Sequence, residues 1–157
     1  MTDDVKSLIS EARRLARHGQ HGKADLLLRR VLAARPADPE ALHGLAQNAY
    51  HAGQLGLARN WLRQLVQAVP TAAEGWFQLA MVCQRSGHLM EARQCLERLL
   101  ELQPDHPRAH YQLGLVLQAL GEAALARVSL LKALELNGDF TEAASALKEL
   151  VGQPGPA

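Results

Sequence analysis

Residues 39–72 read PEALHGLAQNAYHAGQLGLARNWLRQLVQAVPTA, and the next 34 residues, 73–106, read AEGWFQLAMVCQRSGHLMEARQCLERLLELQPDH. Identical residues recur in the two stretches at an interval of 34: Gly53 and Gly87, Ala58 and Ala92, Leu62 and Leu96, Pro70 and Pro104. The same columns extend backwards through Gly19, Ala24, Leu28 and Pro36, and forwards through Gly121, Ala126 and Leu130. Such a period indicates a chain made of stacked copies of one small unit.

Within each period the pattern predicts a helix, a short turn and a second helix. Asp38 is an N-cap residue followed by proline, and Leu42 and Leu45 begin an apolar face spaced by three and four. Gly53 is a candidate C-cap, and Pro70 prevents the second helix from continuing. Small residues mark where the two helices must approach closely: Ala12, Ala46, Ala80 and Gly114 on the first helix, and Ala24, Ala58, Ala92 and Ala126 on the second.

Composition supports an all-α fold. The chain holds 29 Leu and 26 Ala but only eight Val, one Ile and three Thr, and β-branched residues are the ones that favour strands. No apolar run reaches the length of a membrane span, and the N-terminus has no apolar segment of a secretory signal. We therefore expect a cytoplasmic protein. Cys83 and Cys95 show no zinc or disulfide spacing, and we interpret them as reduced structural thiols.

The repeated unit resembles the tetratricopeptide repeat (TPR), a helix–turn–helix of 34 residues. Residues 73–106 match its signature best, through Trp76, Leu79, Ala80, Ala92, Leu96 and Pro104. The resemblance implies a right-handed superhelical solenoid with repeats at 5–38, 39–72, 73–106 and 107–140, after an N-terminal tail at 1–4. Residues 141–151 continue the pattern as a capping helix, and residues 152–157 are expected to form a flexible tail or the start of a linker.

The resemblance also implies a concave groove, lined by the first helices, that binds a peptide or a helix of a partner protein. The groove columns are those that the core does not use, and Ile9 and Ala16 stand in them too. Because Trp76 occupies a core column and Phe77 lies about 100° away on the helix, we assign Phe77 to the groove; local packing of the Phe77 and Tyr111 column is the alternative. The predicted groove residues are Arg17, His43, Gln47, Tyr50, His51, Phe77, Met81, Gln84, Arg85, Arg108, Tyr111 and Leu115.

The chemistry of these residues predicts the type of ligand. Arg17, His51 and Arg85 form a cationic row, which is either a solvated edge or an anchor for carboxylates. With the apolar columns, it suggests a partner with an apolar or aromatic anchor and an acidic flank. The carboxylate clamp of chaperone-binding TPR modules is not matched, because Gly44 and Glu74 stand where two of its polar residues would be.

Other functions find less support in the sequence. His18 and His21 lack a third ligand at metal spacing, no HExxH occurs, and no nucleophile or phosphate-loop motif is present. We expect no enzyme activity, cofactor or metal within these residues. The first repeat has eight basic and three acidic residues, a net +5, but it has no aromatic residue for stacking on RNA bases.

Two alternatives remain open. The basic first repeat could dock on the acidic second helix of the third repeat in another copy, giving head-to-tail homo-oligomers that dissociate at high salt. The chain could also be the substrate-recruiting or dimerising segment of a larger bacterial enzyme, such as a hydroxylase or a glycosyltransferase.

Overall fold

The computed structural model describes residues 2–152, and over this range the chain forms α-helices joined by short turns, with no strand. The all-α helical-repeat class is thus confirmed. The helices are α1 (Thr2–Arg17), α2 (His21–Ala34), α3 (Pro39–His51), α4 (Leu55–Ala68), α5 (Ala73–Arg85), α6 (Leu89–Leu102), α7 (Pro107–Ala119), α8 (Ala123–Leu136) and α9 (Thr141–Gly152). Helix α1 begins inside the segment assigned to an N-terminal tail. The expected tail or linker lies outside the described residues, apart from Gly152, which ends α9.

The glycine column closes the turn inside each hairpin. Gly19, Gly53, Gly87 and Gly121 have φ angles of 73°, 74°, 78° and 81°, the left-handed region that glycine enters without strain. After Gly53, the Gln54 N–H donates to the Ala49 carbonyl at 2.9 Å, and the same bond recurs after the other three glycines. This is the Schellman arrangement, which satisfies the last carbonyls of a helix.

Helix starts are less uniform than the turns. The Asp38 carboxylate accepts hydrogen bonds from the Glu40 and Ala41 N–H groups, both at 3.1 Å, and so caps α3. At the start of α7 the imidazole of His106 does this work, since its Nδ1 accepts from the Ala109 N–H at 3.1 Å. In both cases proline occupies the first turn, where the missing N–H costs nothing.

The chain divides into two compact units, Met1–Val82 and Cys83–Ala157, which we call the first and second units and describe separately. In the first unit, α2 packs against α1 and α3, and α3 packs against α4. Ala24 and Ala58 are fully buried, and Leu28 and Leu62 are 3% and 2% exposed. The small and leucine columns therefore form the core of the first unit, as the sequence predicts.

In the second unit, α7 packs between α6 and α8, and α9 covers α8 and α7. Ala92, Ala126, Leu96 and Leu130 are fully buried. Gly114 allows α7 and α8 to approach closely, because a Cβ there would lie 2.7 Å from the Leu130 Cγ.

The outer face of α8 differs from those of the other second helices. Leu125, Val128 and Leu131 are 48%, 64% and 46% exposed. One repeat earlier, the equivalent positions are all polar: Glu91, Gln94 and Glu97. The fourth repeat thus presents an apolar outer surface where the third presents a charged one.

Candidate functional site

The predicted groove residues divide between the two units. Most lie in the first unit, and Gln84, Arg85, Arg108, Tyr111 and Leu115 lie in the second. Their exposure varies: the exposed members are Arg17, Gln47, His51, Arg85 and Arg108, and the partly buried ones are His43, Tyr50, Met81, Gln84, Tyr111 and Leu115.

Phe77 is placed differently from the prediction, because its side chain is buried, with 7% exposed. Ile9, in the same column of the first repeat, is 6% exposed and belongs to the core with Val5, Ala12 and Leu28. The buried positions of α5 spread over more than half of its circumference, whereas the sequence argument allowed only one buried stripe. Assigning Phe77 to an open ligand surface was wrong for this reason.

The ring of Tyr111 is also occupied by local packing. Its centroid lies 4.9 Å from that of Phe140, just before α9, at an angle of 51°. This contact corresponds to the alternative of local packing. Neither aromatic residue of the column is therefore an open anchor for a ligand.

A small cavity lies between α1 and α3 in the first unit, with a volume of about 60 Å³. The apolar part of its lining comes from three helices: Ile9, Ala12, Ala16, Leu28 and Gly44. The polar part contains two of the predicted groove residues, His43 and Gln47, with Arg13, Glu40 and Asn48. The structure therefore brings His43 and Gln47 together at a concave feature.

An ion pair crosses from α1 to α3 beside this cavity. The Arg13 guanidinium donates to the Glu40 carboxylate, and the two side chains are 65% and 56% exposed. Because both partners are open to solvent, the pair contributes at most about 1 kcal/mol. Sequence reasoning placed Arg13 in a groove column but did not predict its partner.

Asn48 forms the centre of a polar network at the cavity wall. Its side chain is 5% exposed, its Nδ2 donates to the Asp25 Oδ1 at 2.6 Å, and its Oδ1 lies 3.1 Å from the His21 Nδ1. The amide oxygen can only accept, so Nδ1 carries the proton of the His21 ring. The sequence signal was available, since Asn48 stands in a column that holds Val82 and Val116 one and two repeats later.

Two predicted groove residues extend this network towards solvent. The His51 ring stacks on the His21 ring, with centroids 6.3 Å apart and an angle of 27°. The Tyr50 ring meets His51 edge-on at 5.9 Å. His21 is therefore fixed by Asn48 and His51, whereas the sequence suggested a solvent-exposed turn histidine.

A shared hydrogen bond explains why histidine replaces tryptophan in one column. In the first unit the Trp76 Nε1 donates to the Pro70 carbonyl at 2.8 Å. In the second unit the His110 Nε2 lies 2.7 Å from the Pro104 carbonyl, an identical offset of six residues. The carbonyl can only accept, so Nε2 of His110 carries a proton.

Much of the basic charge in the first repeat is already paired. The Arg14 guanidinium binds Glu11 at 2.6 Å, and this hydrogen bond lowers the pKa of the Glu11 carboxyl below its ordinary value. Arg35 lies 3.8 Å from Asp38, and the Arg29 guanidinium lies over the Trp61 ring at 5.4 Å. Arg17, by contrast, is exposed and makes no ion pair with any described residue.

The acidic residues proposed for contact with another copy are partly paired as well. Glu97 accepts from Arg93 at 2.8 Å, and Glu101 accepts from Arg98. Both carboxylates would have to exchange an existing partner to bind the first repeat of a second copy.

Within residues 2–152, no three His, Cys, Asp or Glu side chains are grouped closely enough to hold a metal ion. None of the helices in this range has the length and the apolar character that crossing a bilayer requires.

Family profiles match most of the chain. The profile described as the middle TPR-like domain of cilia and flagella-associated protein 70 matches residues 42–151, and a tetratricopeptide repeat profile matches residues 9–73. Among curated proteins, no sequence matches the chain.

Solved structures with the same fold cover nearly the whole chain. A crystal structure of MamA is 23% identical with a TM-score of 0.89, and the match covers 96% of this chain and 82% of that one. YrrB, described as a TPR protein with an unusual peptide-binding site, is 22% identical with a TM-score of 0.81, over 92% and 74% of the two chains.

A third solved structure is an enzyme. The O-GlcNAc transferase of Thermobaculum terrenum is 31% identical with a TM-score of 0.68, and the match covers 85% of this chain but 26% of the transferase. The chain therefore corresponds to about a quarter of that enzyme.

Proposed function

Because the chain belongs to the tetratricopeptide repeat family, we propose that it is a non-catalytic scaffold that binds a peptide or a helix of a partner protein on its first helices. The observation that carries this proposal is the cavity between α1 and α3, where His43 and Gln47 flank an apolar lining. The peptide-binding site named for YrrB is consistent with it. The proposal also places the protein in the cytoplasm.

Charge selects the partner in this proposal. Arg17 lies on α1 one turn beyond Arg13, and the first repeat carries a net +5 from eight basic and three acidic residues. An acidic partner segment is attracted to this face, and a basic one is repelled. The contributions of Gln84, Arg85, Arg108, Tyr111 and Leu115 remain predictions, because these residues lie in the second unit.

The experiment is partner capture on the immobilised full chain, with bound proteins identified by mass spectrometry. Arg17→Glu and Gln47→Ala should each reduce recovery of the partner about fivefold or more, while the circular dichroism spectrum stays unchanged. Arg30→Glu is the matched control, since Arg30 is an exposed arginine on α2. The proposal fails if no protein is captured, or if Arg30→Glu lowers recovery as much as Arg17→Glu.

The similarity to the O-GlcNAc transferase favours a second candidate, in which the chain recruits substrates or mediates dimerisation for an enzyme. The test is to read the native coding region beyond residue 157. A catalytic domain in the same frame supports this candidate, and a stop codon there eliminates it.

A further inference from the structure

We propose that the cavity between α1 and α3 binds a branched aliphatic side chain, of valine or leucine size, from an acidic segment of the partner. This inference rests on the proposed function and specifies its ligand. The volume of about 60 Å³ sets the size. One water needs roughly 10–15 Å³ measured in this way, and an apolar cavity that admits benzene measures about 150 Å³. An aromatic ring is therefore too large, whereas an isopropyl or isobutyl group fits.

The cavity exists because position 44 is glycine. One and two repeats later the equivalent positions hold Gln78 and Gln112, whose long side chains Gly44 lacks. A Cβ built on Gly44 would lie 2.8 Å from the Leu28 Cδ1. Any side chain at this position would therefore fill the space that a ligand would use.

The lining separates an apolar pocket from polar groups that suit a peptide backbone. Asn48 is already bonded to Asp25 and His21, so its amide needs no ligand. His43 and Gln47 make no hydrogen bond to any described residue. The Gln47 amide can both donate and accept, as binding to an extended main chain requires.

The flanking charge favours a carboxylate next to the aliphatic anchor. Arg13 is held only by the solvent-exposed pair with Glu40, so a ligand carboxylate can compete for it. Arg17 adds a second exposed guanidinium that has no ion pair within the described chain. Leucine or valine beside aspartate or glutamate thus satisfies both parts of the surface.

The test is a titration of the full chain followed through its backbone amide signals by NMR. The probes are N-acetyl-leucine amide, N-acetyl-phenylalanine amide and N-acetyl-aspartyl-leucine amide. The leucine probe should shift Ala12, Ala16 and Gly44 saturably, and the phenylalanine probe should bind at least tenfold more weakly. The aspartyl probe should bind about threefold more tightly than the leucine probe, an advantage that 0.5 M NaCl removes. Equal affinity for leucine and phenylalanine would overturn the inference, whatever the variants do.

Two variants fill the cavity from opposite sides. Gly44→Gln adds the side chain that the third and fourth repeats carry, and Ala16→Leu fills the space from α1. Each variant that keeps the circular dichroism spectrum of the native chain should lose binding of the leucine probe at least tenfold. Gly56→Gln is the matched control, because a Cβ at Gly56 meets no atom within 4 Å. Native affinity in a folded cavity-filling variant would contradict the inference.

The outcomes for the cavity and for the proposed function are separable. If a captured partner binds Gly44→Gln and the native chain equally well, the scaffold function stands and the aliphatic pocket is wrong. If the leucine probe binds as expected but no protein is captured, the pocket stands and the proposed function fails.

Discussion

At the scale of single residues, burial rather than residue type decides which aromatic side chains are available. Phe77 and Trp76 are neighbours on α5, yet the phenylalanine is buried and the tryptophan is partly exposed, with its N–H bonded to the Pro70 carbonyl. Sequence spacing assigned them the other way round. A helix in a repeat array packs on more than one side, which a single apolar stripe does not represent.

We expect Phe77→Ala to destabilise the chain by about 3–5 kcal/mol, because it removes a buried ring and leaves a cavity. Met81→Ala, one turn later at a partly buried position, should cost markedly less. Urea denaturation followed by circular dichroism measures both. A Phe77→Ala variant as stable as the native chain would restore Phe77 to the ligand surface.

The hydrogen bond of Trp76 gives a second prediction. Trp76→Phe and His110→Phe should each lose about 1 kcal/mol of stability, since each removes an N–H that donates to a carbonyl. Trp61→Phe should cost less, because the Trp61 indole nitrogen has no hydrogen-bond partner within residues 2–152. Thermal unfolding of the three variants side by side provides the comparison, and a larger loss for Trp61→Phe would refute it.

At the scale of helices, much of the architecture could be predicted from the sequence. Glycine at positive φ, proline after the second helix and alanine at the helix contacts each have one physical reason, so a fixed interval of 34 residues reveals them. The cavity and the polar network could not be predicted in this way. They depend on departures from the repeat, Gly44 and Asn48, whose effect depends on atoms from other helices.

Gly114 is such a departure at the contact of α7 with α8. Gly114→Ala should gain about 1 kcal/mol in helix propensity but lose about 1–3 kcal/mol through overlap with Leu130, for a net loss of about 1 kcal/mol. Gly56→Ala should instead stabilise the chain by a few tenths of a kcal/mol, since a Cβ there meets no atom within 4 Å. Denaturant midpoints decide between these signs, and stabilisation by Gly114→Ala would show that the helices separate easily.

The start of α7 can be improved by the residue that caps α3. Replacing the His106 imidazole by a carboxylate, His106→Asp, should stabilise the chain by about 0.5–1 kcal/mol, because aspartate is a stronger N-cap and interacts favourably with the helix dipole. His106→Ala should destabilise it by a similar amount. Chemical denaturation at pH 7.5 measures both variants, and an unchanged His106→Asp would mean that the imidazole already caps equally well.

At the scale of the whole molecule, uneven surface chemistry matters more than the formal net charge of +1. Basic residues concentrate in the first repeat, and apolar side chains concentrate on the outer face of α8. The average charge conceals both features. The ligand proposal depends on the first feature and the solubility of the chain on the second.

We predict that the α8 face binds hydrophobic dyes. Replacing Leu125, Val128 and Leu131 by the residues of the third repeat (Leu125→Glu, Val128→Gln and Leu131→Glu) should reduce anilinonaphthalene sulfonate fluorescence by at least half while helicity is retained. The same substitutions should lower light scattering in concentrated solution. Unchanged dye fluorescence would place the exposed apolar surface elsewhere.

Both tryptophans, Trp61 and Trp76, lie within the first compact unit, Met1–Val82, and the second unit contains none. Intrinsic fluorescence is therefore an optical reporter of the first unit alone, whereas circular dichroism averages over the helices of both. Superimposable melting curves from the two signals would mean that the units unfold together, and separated curves would mean that cooperativity is lost between them. The native sequence thus carries a built-in spectroscopic label for half of the molecule.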